Sequence, residues 1–149
     1  MYKDQQITDI FSPEQLKNSI RLDVYDLETS LFINDGAGNF TTKPLPIEVQ
    51  FSPVFAAAVG DYNGDGNLDI LIGGNLYNVK PEVGRYDASY GSLLSGDGRG
   101  GFSYIPPKLS GFHLDGEIRV IMEVATSKGK ILVIARNNDS LQVFKVLSR

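Results

Sequence analysis

Between Asp61 and Asp69 the chain reads Asp-Tyr-Asn-Gly-Asp-Gly-Asn-Leu-Asp. Side chains that carry oxygen stand at positions one, three, five and nine of this stretch, with glycine at six. That spacing winds a short loop around one point and aims hard oxygen donors inward, the arrangement Ca²⁺ requires. We assign Asp61, Asn63 and Asp65 as side-chain ligands, Asn67 as a backbone-carbonyl ligand, and Asp69 as the carboxylate that closes the shell. Gly66 allows the sharp turn by tolerating positive φ. An EF-hand opens in the same way but needs a bidentate Glu at position twelve, where this chain has Ile72. A dockerin-type reading fails for the same missing acid. The plainer alternative is an Asx-rich turn without metal, since Asp, Asn and Gly are ordinary turn formers. Three acids converging on one point exceed what such a turn needs.

The elements around the loop are short apolar runs of strand length, Val54–Val59 before it and Ile70–Ile72 after it. The expected unit is strand, calcium loop, strand. A repeat extends the pattern. Asn34-Asp35-Gly36-Ala37-Gly38-Asn39-Phe40 aligns with Gly96-Asp97-Gly98-Arg99-Gly100-Gly101-Phe102 at an offset of 62 residues. Each reads as a strand, a tight Asp-Gly turn and a returning strand led by Phe. The same offset lays Leu71–Asn75 on Val133–Asn137, and Thr126–Lys130 then offers no acids where the first copy has its loop. Two further strands are expected at Ile118–Val124 and Leu141–Val146. Ser12-Pro13-Glu14-Gln15 reads as a capped helix start, with Leu16 and Ile20 on one face and an end near Arg21.

Composition fits a soluble globular chain: 149 residues, 42% hydrophobic and 21% charged. A formal charge of −4, with no basic run interleaved with aromatics, excludes a nucleic-acid surface. No apolar stretch approaches the roughly 18 residues a membrane helix needs, so the chain is not expected to span a membrane. The first six residues lack the apolar core of a signal peptide. Cysteine is absent, which removes disulfide, thiolate-zinc and cysteine-nucleophile chemistry. Weak calcium loops work where free calcium is abundant, so an exported parent is expected (extracellular, cell-surface or periplasmic).

The residues Val59-Gly60-Asp61 through Ile72-Gly73, with the turn at Asp35–Phe40 and the tail Ala135–Phe144, resemble the FG-GAP or VCBS repeat family, whose blades resemble those of the integrin α-subunit propeller. The resemblance implies a secreted or surface-exposed β-propeller in which Ca²⁺ staples two strands of a blade. It also implies binding or adhesion rather than catalysis. The fold expected is all-β, about two blades of four-stranded antiparallel sheet with a short N-terminal helix. Residues 1–27 would form an N-terminal segment and residues 28–149 the blades, with the second, degenerate copy at 90–149. Two blades do not close a ring. A fragment of a longer protein is therefore favoured, its open edges pairing with the rest of that chain or with another copy.

The expected partner is a protein or glycan ligand at the surface. Its candidate anchors lie in the long connection Tyr77–Tyr90: Tyr77, Arg85, Tyr86 and Tyr90. The competing reading packs these rings locally and pairs Arg85 with Asp87 or Glu82. Gly96-x-Gly98-x-x-Gly101 spells a dinucleotide fingerprint but leads into a strand, so it is a turn. His113, the only histidine, has no catalytic partner motif. The alternatives to a binding module are a carbohydrate-active propeller enzyme, for which Asp87, Asp97 and Asp115 would have to converge, and a purely structural assembly module.

Overall fold

The computed structural model describes residues 4–147; Met1–Lys3 of the N-terminal segment and the last two residues lie outside them. Three antiparallel sheets follow one another along the chain. Strands β1 (Ser30–Asn34) and β2 (Phe40–Pro44) form a hairpin. Strands β3 (Val54–Gly60), β4 (Asp69–Gly74), β5 (Ser92–Gly96) and β6 (Phe102–Ile105) form a four-stranded sheet in chain order. Strands β7 (Ile118–Thr126), β8 (Gly129–Arg136) and β9 (Gln142–Lys145) form the third. The all-β, blade-like expectation holds. The strands are shared out differently from two sheets of four, as a pair, a quartet and a triplet. Strands β5 and β6 hydrogen-bond into the sheet of β3 and β4, so a copy boundary drawn at residue 90 passes through the middle of a sheet.

The 62-residue offset is visible in the hydrogen bonds. Asp35 Oδ1 accepts the N–H groups of Ala37 and Asn39, at 2.7 and 3.1 Å. Asp97 Oδ1 accepts those of Arg99 and Gly101, at 2.7 and 2.8 Å. Both carboxyls are held below the ordinary aspartate value by these turns, Asp35 first by the Asn39 side chain and Asp97 first by the Arg99 N–H. The dinucleotide-like glycines therefore form the Asp97 turn and lead into β6.

At the N-terminus the capping box is present. Ser12 Oγ accepts the Gln15 N–H, and Gln15 Oε1 accepts the Ser12 N–H. The helix it opens, α2 (Pro13–Lys17), ends at Lys17 rather than near Arg21. Ile20 is 88% exposed, so no Leu16–Ile20 face is buried to carry another turn. A single turn, α1 (Ile7–Ile10), precedes it and was not foreseen. Another short helix, α3 (Pro107–Ser110), follows β6.

The core lies on both sides of β4, whose residues are all buried. Leu71 faces the third sheet, in a cluster with Leu93, Leu114, Ile118, Ile121, Leu132 and Ile134. Ile70 and Ile72 face the opposite way, with Val49 and Leu94, partly covered by Leu45 and Phe102. Each fully buried Leu or Ile contributes roughly 1.5–3 kcal/mol, so the first cluster holds the second and third sheets face to face and the second packs the segment through Leu45 and Val49 against the far side of β4. Strands β3 and β7 each begin with a bulge, between Val54 and Ala56 and between Ile118 and Val120. The two bulged residues meet across the interface: the Arg119 guanidinium lies 4.3 Å from the Phe55 ring centre.

Candidate metal centre

The loop 61–69 joins β3 to β4 as the strand–loop–strand spacing requires. Its conformation is set by its own side chains accepting its own amides. Asp61 takes the N–H groups of Gly64 and Gly66, at 2.7 and 3.0 Å. Asn63 Oδ1 takes that of Asp65 at 2.8 Å, and Asp65 Oδ1 that of Asn67 at 2.7 Å. These are successive Asx turns, which wind the chain around the side-chain oxygens. Gly66 lies at φ +84°, the left-handed region expected of it. The Asp61 carboxyl is held below the usual aspartate value, first by the Gly64 N–H and then by that of Gly66.

Asp69 is fully buried at the start of β4. Its Oδ2 accepts the Tyr62 N–H at 3.0 Å and its Oδ1 the Gly96 N–H at 3.1 Å, so it ties the loop to the end of β5. This closeness demands glycine at 96, where a Cβ would stand 2.1 Å from the Leu68 carbonyl oxygen. The Asn63 amide nitrogen sits among three oxygens: Ser95 Oγ at 2.9 Å, Asp65 Oδ2 at 3.0 Å and Asp69 Oδ1 at 3.5 Å.

The donors thus fit a hard cation in kind, being oxygen throughout. Their arrangement departs from the convergence expected of Asp61, Asp65 and Asp69. Among the described residues no three Asp, Glu or His side chains are gathered as a metal cluster. The carboxylates are turned to backbone amides, and the Asn63 amide group stands between Asp65 and Asp69. Like charges 4 Å apart in a partly buried loop repel by up to about 4 kcal/mol; amide donors placed between them relieve that repulsion. The Asn67 side chain points away from this group, to Gly98 in the neighbouring turn.

Sequence reasoning missed what surrounds the loop. Ser95 comes from β5, 32 residues from Asn63, and no local pattern marks it. Tyr62 faces Glu123 of β7 across Gly60; a Cβ on Gly60 would lie 3.2 Å from Tyr62 Oη and 3.3 Å from Glu123 Oε2. Both oxygens are buried without a hydrogen-bond partner, while Glu123 Oε1 pairs with Lys130 at 2.8 Å. Burial, then the Glu123 charge, pushes the Tyr62 phenol above its ordinary value. An open groove of about 590 Å³ passes Asp61, Tyr62, Lys128, Lys130 and Lys145.

The four binding candidates divide into separate groups. The Arg85 guanidinium lies 5.2 Å from the Tyr77 ring centre, in place of an ion pair with Asp87 or Glu82. Tyr86 is 43% exposed, and its backbone pairs with Leu76. Tyr90 stacks on His113 at 4.9 Å, with Glu48, Phe51 and Tyr104 in the same open groove. His113 Nε2 lies 3.4 Å from Asp115 Oδ1. Asp97 is occupied by its own turn.

Glu117, the residue just before β7, is buried. It accepts the Tyr77 N–H, the Asn137 amide and an Arg119 N–H at 2.7, 2.7 and 2.9 Å. The Tyr77 N–H first, then Asn137 and Arg119, hold its carboxyl below the ordinary glutamate value.

No helix among the described residues is long and apolar enough to cross a membrane. No curated protein and no solved structure matches the chain. Residues 7–72 match the family model of the FG-GAP-like repeat. That stretch takes in the first hairpin, β3, the oxygen-rich loop and the start of β4, and by it the chain is identified as carrying an FG-GAP-like repeat.

Proposed function

We propose that this β-propeller-type segment binds Ca²⁺ at the loop 61–69, and that it serves an exported binding or adhesion protein without catalysis. The observation that carries the proposal is the run of Asx turns. Asp61, Asn63 and Asp65 already wind the chain around their own oxygens, at the spacing a calcium loop uses. Asp61, Asn63, Asp65 and Asp69 would hold the ion through side chains and Asn67 through its carbonyl. The ion would supply charge neutralisation and a cross-link between β3 and β4. Weak sites of this kind fill only where calcium is plentiful, which favours an extracellular, surface or periplasmic setting. The exposed aromatic groups of the 77–90 connection are the surface offered to a protein or glycan ligand.

The test is a thermal melt in chelator and then in Ca²⁺, with Asp65→Ala alongside. At a calcium concentration 100-fold above the dissociation constant the expected gain is about 2.7 kcal/mol, seen in the unmodified chain and absent from the variant. An equal response in both would exclude the loop as the site.

A further inference from the structure

The third sheet is apolar on a face that nothing among the described residues covers. Strand β8 reads Ile131-Leu132-Val133-Ile134-Ala135, a continuous apolar run suited to a strand buried on both faces. Only Leu132 and Ile134 are buried. On the other side the register aligns Met122, Val133 and Val143 in one row across β7, β8 and β9. Met122 is 56% and Val143 59% exposed. Yet Val133 stands 62 residues after Leu71, which is 2% exposed because the third sheet packs against it.

The opposite end of the molecule carries the complementary face. Phe32 and Phe40 stand 62 residues before Leu94 and Phe102, which belong to the cluster on the far side of β4. Phe32 pairs with Thr42 and Asn34 with Phe40, so both rings lie on one face of the β1–β2 hairpin. They are 65% and 61% exposed. Within the chain, the face bearing Leu71 meets the face bearing Leu132 and Ile134, the counterparts of Ile70 and Ile72. The free Val133 face and the free Phe32 face are therefore the two halves of an interface the molecule already makes once. Lys145 stands on the same face as Val143, one row nearer the Thr126–Gly129 turn.

We infer that a second copy of this chain docks head to tail, setting its Phe32–Phe40 face on the Met122–Val133–Val143 face of the first. The contact is heterologous, so each copy keeps one free face for the next. It involves no residue of the oxygen-rich loop and is tested in chelator, so its failure and that of the calcium proposal are read separately.

The experiment is sedimentation velocity over a wide concentration range on the unmodified chain, Phe32→Glu and Met122→Glu, with circular dichroism to verify folding. Both substituted side chains are more than half exposed, so the fold tolerates the change. The unmodified chain is expected to grow in mass with concentration, and each variant alone to remain monomeric. An equal mixture of the two variants is expected to form a one-to-one dimer and nothing larger, because each retains the face the other has lost. An unmodified chain that stays monomeric throughout, a variant that still self-associates, or a mixture that stays monomeric would each overturn the inference.

Discussion

Hairpins β3–β4 and β7–β8 occupy equivalent places in successive sheets, yet they are closed and covered differently. The first is joined by a nine-residue, oxygen-rich loop whose closing Asp69 is buried. The second turns directly from Thr126 to Gly129, with Thr126 Oγ1 donating to the Gly129 carbonyl. In the first, β4 is buried on both faces, by the third sheet and by the segment through Leu45 and Val49; in the second, β8 is covered on one. The repeat thus fixes which strands pair and which faces are apolar. The loop chemistry and the presence of a neighbour vary independently of it.

The sharpest way to break this comparison is to shorten one side chain at matched positions. Leu71→Ala should cost about 3 kcal/mol, because its neighbours on both sides prevent collapse into the cavity. Val133→Ala, on the open face, should cost about 1 kcal/mol. Equal losses by urea denaturation of the monomer would mean that the two faces are covered alike.

The asparagines that end the two strands offer the next test. Asn75, at φ 78° and 2% exposed, bonds Ser52, Ser89 and the Gly116 carbonyl. Its counterpart Asn137 bonds only Glu117 through its side chain. Replacing Asn75 by Ala strands several buried groups and should cost roughly 3 kcal/mol, against about 1 for Asn137→Ala. A reversed order would show that the buried network is not what anchors the first hairpin.

Glu117 sharpens the comparison through pH. Its folded value is depressed below 4.5, so its contribution is full above that value and fades as the pH falls through the folded one. Glu117→Gln should therefore melt lower at neutral pH, by about 2 kcal/mol for a charge-assisted network. The gap should close in acid. A gap that persists unchanged at low pH would locate the loss in packing instead of charge.

Much of this was legible in the chain because it depends on local chemistry. Asp35 and Asp97 organise their turns through bonds to residues two and four ahead, and Ser12 and Gln15 cap each other three apart. The winding of the loop at Asp61, Asn63 and Asp65 is equally local. Ser95, Glu123 and Glu117 were missed as partners because their contacts span tens of residues and leave no periodic trace. The N-terminal helix stopped early for the same reason: the capping pattern marks where a helix can begin, while packing determines how far it runs.

By itself, then, the sequence determined the all-β class, the 62-residue repeat, the turns and the oxygen-rich loop, since spacing and side-chain type suffice for bonds within a few residues. Only the tertiary structure decided how strands group into sheets, and that the loop's carboxylates face amides instead of gathering at one point. It also decided which faces stay open. Those outcomes turn on which distant surfaces exclude water together, and no single stretch of chain encodes that.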